Sequence, residues 1–129
     1  MAKVTQTAVT KDILINQGAD YRMQVRLCKG TKSEPTPIDI TGYTFECKIR
    51  EGADSDEVLG EAECHIVDAV TGLMEVFFDD SVTGQLPTDG ATYDETEQYV
   101  WDLYATAPKG DTIRILNGYC YVSPGVSYD

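Results

Sequence analysis

Residues 99–122 read YVWDLYATAPKGDTIRILNGYCYV, and this stretch decides how the chain folds. It holds two alternating apolar runs joined by residues 108–111, PKGD, whose proline and glycine suit a tight turn. On the first run Tyr99, Trp101 and Leu103 share one side. Folding the second run back about the turn sets Leu103 opposite Leu116, Trp101 opposite Gly118 and Tyr99 opposite Cys120. Because side chains alternate with a period of two, a slip of one residue would send one apolar row to the wrong face, so the pattern specifies a register. Gly118, having no side chain, is expected to leave room for the Trp101 indole.

The same period runs upstream. Residues 13–16 form a short strand, and residues 17–20 turn it. Residues 21–28 set Tyr21, Met23, Val25 and Leu27 against Arg22, Gln24 and Arg26. A loop with two prolines follows, then a turn at Thr41-Gly42 and a strand with Phe45, Cys47 and Ile49 on one side and Glu46, Lys48 and Arg50 on the other. Beyond an acidic loop at 51–57, Ala62, Cys64 and Ile66 oppose Glu61, Glu63 and His65. A turn at 68–72 leads to Met74, Val76 and Phe78, with Leu73, Glu75 and Phe77 facing the other way. Asp80 is placed to cap one helical turn within 80–86 that buries Leu86.

Two more hairpins can be set by register. About the 68–72 turn, Ile66 meets Met74, Cys64 meets Val76 and Ala62 meets Phe78. About the acidic loop, Phe45 meets Ile66, Cys47 meets Cys64 and Ile49 meets Ala62; alternatively that long loop carries the chain from one sheet to another. No segment holds a sustained helical period. About seven short antiparallel strands with one apolar face predict an all-β, immunoglobulin-like β-sandwich. Its expected core is Met23, Val25, Phe45, Cys47, Ile49, Cys64, Ile66, Met74, Val76, Phe78, Tyr99, Trp101, Leu103 and Leu116. The 129 residues suffice for one domain, expected over 12–129, preceded by a polar extended arm at 1–11.

Acidic residues outnumber basic ones 22 to 10, a net charge of −12. That balance disfavours nucleic-acid backbones and anionic membrane surfaces, both of which need clustered cations. The opening residues hold no apolar run of signal-peptide length, so synthesis in a cytoplasm with reduced thiols is expected. The one histidine, His65, follows Cys64 directly, and neighbours on a strand point to opposite faces, so they make no nucleophile–base pair. No phosphate-cradling glycine motif is present. The acidic groups Asp54/Asp56/Glu57, Asp79/Asp80 and Asp94/Glu95/Glu97 read as solvated charge, with adventitious calcium at the first as the sharper alternative. No catalytic, cofactor-binding or metal-binding residue is therefore expected. Cys47 and Cys64 are either reduced buried thiols or, if side by side, a disulfide formed after release into an oxidising medium. Cys28 points outward at a strand end.

What remains is binding. Leu73 and Phe77 are large apolar residues on an outward face, which invites a partner unless the arm or the 87–97 loop covers them. Within the arm, Val4, Thr5 and Val9 are candidates for pairing with a neighbour's sheet edge. Arg22, Arg26, Lys48 and Arg50 face outward and read as solvated. Tyr93 and Tyr104 are further candidates for partner binding, and with Tyr119 and Tyr121 they are candidate platforms for a second reading, a carbohydrate-binding or host-surface adhesion module.

Taken in order, NQGADYRMQVRL (16–27), DITGYTFECKIRE (39–51), the turn at Gly72 with a strand ending in FFDDSVTGQL (77–86), YVWDLYA (99–105) and RILNGYCYVSPGV (114–126) resemble the immunoglobulin-like domain of tailed-bacteriophage virion proteins. That domain occurs at the N-terminus of baseplate upper proteins and in related tail-fibre and particle-associated proteins. The resemblance spans residues 12–126. It implies a non-enzymatic structural protein of the virion, made in the bacterial host cytoplasm. Such a protein binds capsid, neck, baseplate or fibre proteins, and copies of itself, through its outer faces, loops and arm. The chain ends at Asp129 with no stalk or lectin domain, which favours an adaptor, attachment or decoration role over host recognition.

Overall fold

A computed structural model describes residues 8–30 and 33–127. Eleven strands follow in chain order: β1 (Val9–Thr10), β2 (Ile13–Asn16), β3 (Tyr21–Arg26), β4 (Cys28–Gly30), β5 (Pro35–Pro37), β6 (Thr44–Arg50), β7 (Gly60–Glu61), β8 (Glu63–Asp68), β9 (Leu73–Phe78), β10 (Glu97–Thr106) and β11 (Thr112–Ser123). One short helix, α1 (Asp80–Thr83), lies between β9 and β10.

The longest pair is the one read first. β10 and β11 pair antiparallel with Tyr99 opposite Cys120, Trp101 opposite Gly118 and Leu103 opposite Leu116, as their alternation requires. Around them the first sheet runs β1–β11–β10–β6–β7, with β2 continuing the line of β1 along the same edge of β11. The second sheet is β3–β9–β8, and β4 and β5 form a separate ribbon. This is the strand order of an immunoglobulin-like sandwich. β3, β9 and β8 stand where strands B, E and D do, and β6, β10 and β11 where C, F and G do. The first strand runs parallel to the last. The fold is therefore an all-β, immunoglobulin-like β-sandwich.

Between the sheets lie Cys47, Ile49, Met74, Val76, Phe78, Tyr99, Trp101, Leu103 and Leu116, with Met23, all buried. Four expected core residues, Val25, Phe45, Cys64 and Ile66, are half-buried and pack against this cluster. Ile13, Ile15, Leu27, Ile40, Ala105, Cys120 and Val122 join the core as well. Each large side chain so buried contributes ~1.5–3 kcal/mol of transfer free energy, opposed by chain entropy.

Several expectations are corrected. The hairpin about the acidic loop does not form. β6 pairs with β10 along its length, with Cys47 opposite Leu103, and its ladder with the following chain is confined to the short β7, where Lys48 meets Glu61 and Ile49 meets Gly60. The crossing falls at Ala62, whose N–H donates to Cys47 O at 3.0 Å, while Glu63 opens β8 in the other sheet. The β8–β9 ladder keeps Cys64 opposite Val76 and Ile66 opposite Met74, but Ala62 never reaches Phe78. Asp79, not Asp80, caps α1: its carboxylate accepts from Ser81 N (2.8 Å) and Val82 N (3.2 Å). A cap must sit just outside the first helical residue, and here that residue is Asp80. Leu86 is fully buried, as expected.

The arm is corrected in part. Val4 and Thr5 lie outside the described residues, but the arm's last residues are docked on the domain's own sheet. Val9 pairs with Leu116 and Thr10 with Asn117, parallel, and Ile13 with Cys120 in the same line. Between them Lys11 N–H donates to Asn117 O at 2.9 Å. Gly118 has a different neighbour from the one expected. A Cβ on Gly118 would lie 2.2 Å from Lys11 O, so the space is taken by backbone rather than by the indole. The indole reaches the same atom, with Trp101 Nε1–H donating to Lys11 O at 2.9 Å. Near the start of β10 the Tyr99 hydroxyl donates to Pro87 O, tying the strand to the loop before it. Immunoglobulin-type sandwiches hold their E–F corner with a tyrosine in the same way.

Candidate interaction surface

The outward residues of β6, β10 and β11 make one continuous face. Register places Lys48 beside Asp102 and Glu46 beside Tyr104 on one side of β10, and Asn117 beside Asp102 and Tyr119 beside Val100 on the other. Between Leu103 and Tyr104 the β10–β11 register shifts by one residue. Without the shift, Tyr104 would face Ile115. With it, Tyr104 faces Arg114, and a cation replaces an apolar residue on the outer face. The result is a groove of about 450 Å³ lined by Lys48, Arg50, Asp102, Tyr104, Arg114 and Tyr119 among others.

Asp102 sits at its middle. Burial pushes its carboxyl above the usual carboxylate range, and Arg114, Arg50 and Lys48 pull it back only in part. None of those cations is spent on Asp102 at contact distance. Lys48 Nζ lies 3.4 Å from Glu46 Oε1. Arg50 donates to the backbone oxygens of Ser55 (3.1 Å) and Asp56 (2.9 Å), so loop carbonyls hold it in place and leave its charge unneutralised. Among the described residues, Arg114 has no carboxylate within 4.0 Å. In a chain of net charge −12 this is a local concentration of cations with aromatic and amide neighbours.

The expected patch on β9 is not open. Leu73 and Phe77 are half-buried, and among the described residues Arg22 of β3 lies over Phe77. The Arg22 guanidinium lies 3.9 Å from the centre of the Phe77 ring and 2.9 Å from Glu75 Oε1. His65 Nε2 is 3.4 Å from the same carboxylate oxygen. A cation over an aromatic face is an attractive contact that also hides the ring. Of the other candidate partner-binding residues, Tyr104 lines the groove, while Tyr93 is 67% exposed and stands outside it. Val9, 65% exposed, lies at the rim of a different groove on the side of the sandwich. Of the candidate glycan platforms, Tyr119 lines the groove, with its ring 6.2 Å from that of Tyr121. Asp102, Arg114 and Asn117 were not singled out from sequence; only the pairing of β10 with β6 on one side and β11 on the other brings them together with Lys48.

All four cysteines are free thiols. The Cys47–Cys64 disulfide is not formed, and its premise of cross-strand neighbours fails because the two lie in different sheets. Burial raises all three inner thiols, Cys64 to about 11 and Cys120 to about 12, with Cys47 higher still. A thiol so held is not a thiolate at neutral pH and is a poor nucleophile. Among the described residues no group of three or more His, Cys, Asp or Glu is placed to hold a metal ion. No helix among them is long and apolar enough to cross a membrane.

No known family matches the chain, and no curated protein does. Among solved structures, murine CRIg is similar over 89% of this chain and 92% of its own, at 11% identity and a TM-score of 0.35. A likeness of that degree adds nothing to the strand order described above.

Proposed function

We propose that this chain is a non-enzymatic protein-interaction module, serving as an attachment or decoration element of a tailed-bacteriophage virion. The carrying observation is the groove over β6, β10 and β11, where Lys48, Arg50 and Arg114 surround a half-buried Asp102 beside Tyr104 and Tyr119. It is a shallow sheet face with mixed charge and aromatic rings, the chemistry of a protein docking surface. The virion assignment is supported by the ordered motifs over 12–126.

Mass spectrometry of purified virions from the source that encodes the chain tests this. The expected result is the chain in many copies per particle, with the Lys48→Glu/Arg50→Glu double variant folding normally but missing from particles. Absence of the parent chain from particles overturns the virion role. Undiminished incorporation of the double variant overturns the groove as the contact. A second reading, glycan binding, is favoured by Tyr104 and Tyr119 standing with Asp102 and Asn117 in one groove. Specific binding of the isolated chain on a glycan array would establish it.

A further inference from the structure

The outer groove over β6, β10 and β11 holds two guanidinium groups with donors still to offer. Register sets Arg50 level with Val100 on one side of β10 and Arg114 level with Tyr104 on the other. Four residues along β10 separate those levels, ~13 Å at ~3.3 Å per residue. Both bonds from Arg50 to the loop carbonyls come from Nη1, which leaves Nε and Nη2 facing no such partner among the described residues. Arg114 is exposed. The groove's own carboxylates are otherwise placed. Asp12 accepts from the Tyr119 N–H at 2.9 Å, and Asp102 is half-buried with no cation within 4.0 Å among the described residues. Residues 1–7, MAKVTQT, hold no acidic side chain, and outside the described residues only Asp129 is acidic.

We propose that this groove takes an extended acidic segment of a partner protein, whose carboxylates engage Arg50 and Arg114 in place of the groove's own Asp102. The inference rests on the groove being a protein contact and names what it contacts. A guanidinium is a planar fork of donors that a carboxylate meets with two parallel hydrogen bonds. The Ser55 and Asp56 carbonyls already fix Arg50, so little side-chain freedom is lost when its remaining donors are used. In an extended segment, side chains four residues apart point the same way and stand ~13 Å apart, which matches the spacing of the arginines along β10. The breadth from β6 to β11 is two strand spacings, ~10 Å, within reach of two arginine side chains. The residue midway between the two acids points the same way and would meet Tyr104, Asn117 and Tyr119, so an aromatic or amide side chain suits it.

The test is a titration of the isotopically labelled full chain with an acetylated and amidated heptapeptide, SDTYTDS, and its lysine counterpart, SKTYTKS, followed by amide and arginine side-chain resonances. The acidic peptide is expected to shift the Nε–H signals of Arg50 and Arg114 and the amides within 100–104 and 114–119. The lysine peptide should bind ~10-fold more weakly, and Arg114→Gln, an exposed substitution, should narrow that difference. Asp102→Asn removes the groove's own counter-charge and should tighten the acidic peptide ~3-fold or more, an effect that a purely structural role for Asp102 would not produce. Equal binding of the two peptides, a preference for lysine, or no response in the groove overturns the proposal. So does unchanged or weaker binding of the acidic peptide by Asp102→Asn. Self-association through the groove amides without a response to peptide overturns it in favour of a second copy as occupant. Markedly tighter peptide binding by a chain ending at residue 127 overturns it in favour of the chain's own Asp129. A result against the acidic segment leaves the virion role standing, and absence of the chain from virions does not change which peptide binds, so the two proposals fail separately.

Discussion

At Gly118 a missing side chain does work that no substitute can do. The Lys11 carbonyl occupies the position its Cβ would need, and that carbonyl is the partner of the buried Trp101 indole. Gly118→Ala therefore forces β1 and β2 away from β11 and strands a buried N–H. Leaving such a donor without a partner costs about 1–3 kcal/mol, to which the displaced strand adds. The expected outcome is a loss of about 2 kcal/mol or more in urea unfolding followed by Trp101 fluorescence. Faster exchange of the indole proton should accompany it. Glycine opposite tryptophan was legible in the sequence. That a carbonyl ninety residues before Trp101 would fill the gap was not, because it depends on the path of the first strand.

Strands show the same division. The β8–β9 and β10–β11 ladders follow from alternation and their turns, because one face of each is apolar and the register has little freedom. β6 is different. Its alternation is equally clear, but period two says which way a side chain points and not which strand lies beside it. Pairing with β10 sets Lys48 beside Asp102, and the register shift brings in Arg114. Asp102 is then expected to carry a measurable electrostatic cost. Its carboxyl is raised above the unfolded value of ~3.9, so the stability it contributes is present below that pH and is lost as pH rises through the folded value. Asp102→Asn should therefore melt higher than the parent at pH 7. The gap should close as pH falls below about 4, where the parent carboxyl is neutral in both states. A variant that melts lower at pH 7 would mean that attraction to the three cations outweighs burial.

Over the whole molecule, two sheets close on a dry interior, and the thiols report on it. Cys28 is exposed, Cys64 half-buried, and Cys47 and Cys120 fully buried. Because the thiolate is the reacting form, burial slows modification twice, by access and by the raised pKa. An aromatic disulfide reagent at pH 8 should modify Cys28 quickly and Cys64 slowly. Cys47 and Cys120 should react only at the rate of unfolding, or at once in denaturant. Two or more fast thiols in the native protein would show that the sheets do not exclude water.

Sequence alone determined the all-β class, most of the core and the inward or outward sense of nearly every strand residue, because these rest on local alternation between neighbours in the chain. The tertiary structure alone decided where the chain changes sheets at Ala62, that Arg22 covers Phe77, and that Lys48, Asp102 and Arg114 share a groove. Each of these depends on which strands become neighbours across a long loop. That choice is set by the summed packing of two sheets, which no short window of sequence contains.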